Sequence, residues 1–142
     1  RLAAPLPSDP GVLLGTYADL RDAAQLDVDA IVSLCRVGPT EVVPGRVSPA
    51  DHVEVWLIDE NDPAYNPHLP WVLDDAAATV ARLRDEGRQV LLHCVHAHHR
   101  TPAVALRYLL TRGVDVDTAV AEVETTVGHP VTGRLWDTAR NH

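Results

Sequence analysis

The chain has no lysine, phenylalanine or methionine, little isoleucine or asparagine, and only two cysteines in 142 residues. Each shortage excludes something. Two cysteines, Cys35 and Cys94, cannot build the disulfide framework of a small secreted domain, which points to a reducing, cytoplasmic setting. No run approaches about 20 consecutive apolar residues, so no helix of this sequence is expected to cross a bilayer. The pattern of a secretory signal peptide is missing as well. Positive charge is scarce: 12 basic residues face 20 acidic ones, for a formal net charge of −8 at pH 7. That balance argues against non-specific binding to nucleic acid and against an anionic membrane surface. The missing residue types use AT-rich codons, which suits a GC-rich bacterial genome and says nothing direct about chemistry. The chain begins at Arg1 rather than Met, as a trimmed or excised chain would. The expectation is one domain over residues 1–142, compatible with excision from a larger protein.

What is present suffices for one hydrophobic core, since 46% of the residues are hydrophobic. Four short apolar stretches, 12–14, 30–34, 53–58 and 90–93, read as buried strands. Helical periodicity covers 17–26, 70–86, 102–111, 117–127 and 133–140, with Gly87 as a stop signal after the second. Strands separated by helices imply crossover connections. The predicted class is α/β: a single, mostly parallel sheet of four to five strands flanked by helices. Proline-rich segments at 36–52 and 59–70 read as irregular loops following strands, where open α/β sheets build their ligand sites. Trp56, Trp71 and Trp136 are expected in the core. Arg36 and Arg46 fall near the rim of the expected pocket.

The stretch "LLHCVHAHHRTPAVAL" holds the densest chemistry. A strand ends at His93, a loop follows from Cys94, and a helix opens near Thr101 and Pro102. Such a loop presents backbone N–H groups to an anion, and the helix dipole adds to their field. Arg100 stands where the helix opens, and a guanidinium can grip two oxyanion oxygens at once. The same field favours the thiolate of Cys94. A soft-metal site built from His93, Cys94, His96, His98 and His99 is the rival reading. However, a compact run on one loop rarely closes a tetrahedron, and this reading leaves Arg100 and Thr101 unexplained. No cofactor or metal is therefore expected.

Cys94, five residues, Arg100 and Thr101, with His93 in front, resembles the His-Cys-x5-Arg-Ser/Thr signature of the cysteine-dependent protein tyrosine and dual-specificity phosphatases. "DAIVSLC", "VEVWLIDENDP" and "GRQVLLHC" resemble an early strand, the acid-bearing strand and loop, and the active-site strand of the dual-specificity subgroup. The resemblance covers residues 11 to 127. It implies phosphomonoester hydrolysis through a phosphocysteine intermediate. The substrate is then a phosphorylated protein, on tyrosine or serine/threonine, or a small phosphorylated metabolite. It further implies that Cys94 is the nucleophile. Arg100 and the amides of Val95, His96, Ala97, His98, His99 and Arg100 hold the phosphoryl oxygens, Thr101 bonds the sulfur and His93 orients the loop.

One departure stands out: Ala97 occupies a position that is usually glycine in the family. If that position needs positive φ, alanine is strained there by about 1–2 kcal/mol. The imidazoles of His96, His98 and His99 could add positive charge in mild acid. The general acid is expected from Asp59 or Asp62. Asp59 is slightly favoured, because Asp62 before Pro63 also reads as turn chemistry. The resemblance also makes Cys35 a candidate redox partner of Cys94. The alternatives are a catalytically weak pseudophosphatase that binds phosphorylated ligands, the metal domain, and sulfur transfer. Oligomeric state is not legible.

Overall fold

The computed structural model describes residues 3–38 and 47–141. Arg46, assigned to the pocket rim, lies outside the described residues. Five strands form one sheet: β1 (Ala4–Leu6), β2 (Asp9–Gly15), β3 (Ala30–Ser33), β4 (His52–Glu54) and β5 (Val90–His93). Their order is β1-β2-β5-β3-β4. β1 is antiparallel to β2 and every other pairing is parallel. The α/β expectation therefore holds. β1 was not foreseen, because Ala4, Pro5 and Leu6 carry too short and too proline-marked a pattern. β4 ends at Glu54, where an extended stretch to residue 58 was expected; Val55 still donates its N–H to Ser33 at 2.8 Å, and the chain then leaves the sheet.

Alternation explains the layers. On β2, β3 and β5, Val12, Leu14, Ala30, Val32, Val90 and Leu92 face the larger core. That core is covered by helices α2 (Leu69–Asp85), α3 (Arg100–Thr111), α4 (Val116–Val127) and α5 (Arg134–Asn141). Ile31 and Leu91 face the opposite side, where Leu20, Ala23 and Val28 pack around helix α1 (Tyr17–Arg21) and a short 3-10 turn at Ala23–Gln25. β5 is the central strand and all four of its residues are buried. Its continuous apolar run is what a strand covered on both faces requires.

α3 is the most enclosed helix. Thr101, Ala103, Val104, Ala105 and Leu106 are fully buried, and Tyr108 and Leu109 nearly so. It begins at Arg100, one residue before the predicted opening, and Pro102 sits in its first turn, where a missing N–H has no consequence. The tryptophan expectation holds only for Trp136, which is 3% exposed; Trp56 and Trp71 are 73% and 68% exposed. Trp56 stands on the outward-facing register of the segment after β4, between the inward Val55 and Leu57. Trp71 lies on the solvent face of α2, two residues from both Leu69 and Leu73 and therefore off the apolar stripe that they form with Ala76 and Val80.

Candidate active site

β5 delivers Cys94 to the carboxyl edge of the sheet, and residues 95–99 turn back to the start of α3. Cys94 is 2% exposed. Ala97 N–H donates to Cys94 Sγ at 3.2 Å, so the loop folds over the sulfur. Ala97 has φ +60°, the left-handed value that the sequence made conditional. Only there does the chain reverse tightly enough to bring the amide of residue 97 back to residue 94. The strain of an alanine in this conformation, roughly 1–2 kcal/mol, exceeds the unfolded-state entropy that alanine saves over glycine, about 0.5–1 kcal/mol. Ala97→Gly is therefore expected to stabilise the protein by about 0.5–1 kcal/mol, read as a higher urea midpoint with unchanged slope. A lower midpoint would show that the buried methyl outweighs the strain.

Two bonds orient the loop. Tyr17 N–H donates to the Val95 carbonyl at 3.0 Å and Ala103 N–H to the His99 carbonyl at 3.0 Å. In a trans peptide the N–H points opposite to the C=O. The N–H of His96 is thus turned away from α1, and that of Arg100 points out of the helix N-terminus. Arg100 Nη1 donates to the carbonyls of Leu34 at 3.2 Å and Leu57 at 3.5 Å, which fixes the guanidinium between the ends of β3 and the β4 extension. Arg100 Nε and Thr101 Oγ1 are buried with no hydrogen-bond partner. Buried polar groups are seldom left unpaired, so these two donors mark a place suited to an oxyanion or an ionised sulfur. Thr101 does not bond the sulfur in this structure; the Ala97 amide does.

The expected acid loop lies beside this site. Asp59 Oδ1 stands 3.1 Å from His99 Nδ1, with both side chains part-exposed. Asp62 Oδ1 instead accepts from Ala64 N–H at 3.0 Å, the turn role its proline context suggested. The loop is pinned by asparagines. Asn66 accepts from Ile58 N–H at 3.1 Å and donates to Ile58 O at 2.7 Å. Asn61 Oδ1 accepts from Arg134 N–H at 2.9 Å at the start of α5. Neither asparagine was singled out from the sequence, although the dipeptide Asn66-Pro67 carried a turn signal.

A cleft of about 310 Å³ is lined by Cys35, Arg36, Val55, Trp56, Leu57, Ile58, Asp59 and Arg100. The Arg36 guanidinium lies 4.8 Å from the Trp56 ring centre, so the exposed indole forms one wall with a cation on it. The loop imidazoles meet a partner from outside the loop: His98 lies 5.6 Å from His96 and 5.4 Å from His129, ring centre to ring centre. Among the described residues no three His, Cys, Asp or Glu side chains are arranged to hold one metal ion.

No protein-family model matches the chain, and no curated protein matches it in sequence. Solved structures do. Human DUSP28 aligns over 97% of this chain and 95% of its own, at TM-score 0.70 and 23% identity. A mouse protein assigned as a dual-specificity phosphatase, complexed with zinc tungstate, aligns over 99% of this chain and 88% of its own, at TM-score 0.72 and 25% identity. The PTP-2 phosphatase of Cydia pomonella aligns over 98% and 88%, at TM-score 0.74 and 18% identity. This is the dual-specificity phosphatase fold. On that fold Cys94 is buried at the carboxyl edge of the sheet, beside the cleft that Arg100 and Asp59 line. The three residues come from separate segments: the loop after β5, the first residue of α3, and the end of the β4 extension.

Proposed function

We propose that the protein is a cysteine-dependent phosphatase of the dual-specificity type, hydrolysing phosphomonoesters in two steps. The observation that carries this reading is the loop of residues 94–100. Its Ala97 amide turns onto a buried cysteine sulfur, and two buried unpaired donors, Arg100 Nε and Thr101 Oγ1, open the helix that follows. Phosphate is tetrahedral, like the tungstate held by the mouse protein of the same fold.

In the first step the Cys94 thiolate attacks phosphorus, and an S–P bond forms as the P–O bond to the leaving group breaks. Arg100 and the amides of residues 95–100 balance charge on the three equatorial oxygens. Asp59 gives its proton to the leaving oxygen. In the second step Asp59, now a carboxylate, takes a proton from water. The resulting nucleophile attacks the phosphocysteine, and inorganic phosphate and the thiolate are released. Thr101 O–H turns to the departing sulfur, and His93 orients the Cys94 backbone. No metal takes part. The substrate is a phosphoprotein or a small phosphorylated metabolite.

Acid quenching during turnover of para-nitrophenyl phosphate tests the scheme. Mass spectrometry is expected to find phosphate on the peptide carrying Cys94; turnover with no such adduct on any cysteine would reject a covalent route. Binding of phosphate without turnover would instead support a pseudophosphatase.

Cys35 gives the same site a redox role. It lies just past β3, and Cys94 just past the neighbouring β5. Burial pushes the Cys35 thiol up, Arg100 opposes this, and the nearby Cys94 adds to it. Peroxide would oxidise Cys94 to a sulfenic acid, and Cys35 would displace water from it to form a disulfide. Non-reducing peptide mapping after mild peroxide is expected to find Cys35 joined to Cys94; sulfinic acid on Cys94 with Cys35 still free would exclude the switch.

A further inference from the structure

Three polar side chains line up across the α1 face of the sheet. Ser33 Oγ lies 2.6 Å from Nε2 of His93 and 2.8 Å from Nε2 of His52. His93 Nδ1 lies 3.2 Å from the Cys94 carbonyl oxygen. Strand register brings them together. On β3, Ser33 aligns with His93 of β5, while Ile31, two residues earlier and on the same face, aligns with His52 of β4. Ser33 and His93 are fully buried, and His52 is half-buried on the edge strand.

The protons in this chain have only one arrangement that satisfies both ends. A carbonyl oxygen can only accept, so His93 Nδ1 carries a hydrogen and donates it to Cys94. Burial above all lowers the His93 pKa to about 4, so the ring is neutral near pH 7 and its Nε2 is a lone pair. Ser33 gives its single hydrogen to that lone pair. Its oxygen then accepts from His52, whose Nε2 must carry a hydrogen. Every donor points toward Cys94, and three aligned dipoles place their positive ends on the side of the nucleophile. The charged groups around the chain are few. Burial lowers the His52 pKa against the pull of Glu54. At His93, Asp19 raises the pKa and Arg100 lowers it. The Tyr17 ring packs edge-on to His93 at 6.5 Å.

We propose that His52 is a positioning residue. Through Ser33 it fixes the tautomer of His93, and His93 in turn orients the Cys94 backbone and stabilises the Cys94 thiolate. The inference rests on Cys94 being the nucleophile, but its test reads the thiol and the rings rather than turnover.

Nitrogen-15 NMR of the histidine rings at pH 7 is expected to find His93 protonated on Nδ1 and His52 on Nε2. The opposite tautomer at either ring overturns the proposal. The rate of iodoacetamide alkylation of Cys94 against pH, in a Cys35→Ser background, reads the consequence. His52→Leu is expected to move the midpoint up by about 0.5 pH unit, a roughly threefold loss of thiolate on the acidic side. His52→Gln places an amide N–H where Nε2 stands and is expected to restore the wild-type profile, though it carries no charge. Ser33→Ala is expected to reproduce the leucine shift, and adding His52→Leu to it to change nothing further. A leucine profile that coincides with wild type, a glutamine variant that fails to restore it at equal thermal stability, or additive shifts would each sink the relay. Loss of the phosphatase reading alone, with no turnover by the wild type, leaves these measurements standing.

Discussion

Cys94→Ser is expected to lower turnover of para-nitrophenyl phosphate by at least about four orders of magnitude, while affinity for tungstate or phosphate stays within a few-fold. The two halves of this expectation have separate structural causes. In the proposed scheme most of the groups that hold the oxyanion are not altered by the substitution: Arg100 anchored on the Leu34 and Leu57 carbonyls and the N-terminus of α3, while the Ala97 amide, which donates to the sulfur, keeps an acceptor in the serine oxygen. The attack, in contrast, needs an ionised nucleophile. A serine hydroxyl in the same place cannot supply one, because an alkoxide lies many pH units further from neutrality than a thiolate. Steady-state kinetics paired with calorimetric titration of tungstate gives both numbers. Turnover in the serine variant within tenfold of wild type would move the nucleophile elsewhere. Loss of binding together with turnover would mean that the loop needs the sulfur to fold.

The second large effect separates two carboxylates that the sequence alone could not. Asp59→Asn is expected to lower kcat by roughly 10²- to 10³-fold on phenyl phosphate, whose leaving group needs a proton. The loss should shrink towards tenfold or less on para-nitrophenyl phosphate, whose leaving group departs as a stable anion. Asp62→Asn is expected to leave kcat on either substrate within about twofold. Asp59 lines the cleft with Arg100 and faces His99 across 3.1 Å. Asp62 spends its carboxylate on the Ala64 amide, and asparagine can make the same turn bond. A leaving-group dependence that appears for Asp62→Asn instead would assign the proton to the wrong side of this loop.

The sheet and the cysteine loop were legible for a physical reason: each is local. Residues 90–93 form a strand buried on both faces, and such a strand writes itself as an unbroken apolar run. Cys94, Arg100 and Thr101 lie within eight residues of one another, so their joint geometry follows from one turn. Ala97 stood out because the resembled family usually has glycine at that position, and its positive φ is the local steric reason. What failed was non-local. β1 is held by pairing with β2 rather than by its own propensity. Trp56 and Trp71 are apolar by type yet face solvent, because the register of their segments decides their exposure and the residue type does not. His52 and His129 lie far in sequence from their partners; strand register brings one to Ser33, and chain packing brings the other to His98. Arg36 was assigned to the rim and is there, lying against the Trp56 indole. Nothing within the single segments foretold any of these meetings.

The acid-bearing segment also has a consequence for how the protein meets its substrates. Asn66 ties both polar atoms of Ile58, the residue just ahead of Asp59, and Asn61 ties the segment to the first turn of α5. With Asp59 in the role proposed above, a proton donor moored at both flanks would already be docked when the ester arrives, and no binding energy would be diverted into swinging it inward. The trade is selectivity: an enzyme that does not have to close around its ligand cannot use closure to tell one phosphate ester from another. Discrimination then falls to whatever touches the open rim, the indole and guanidinium of Trp56 and Arg36.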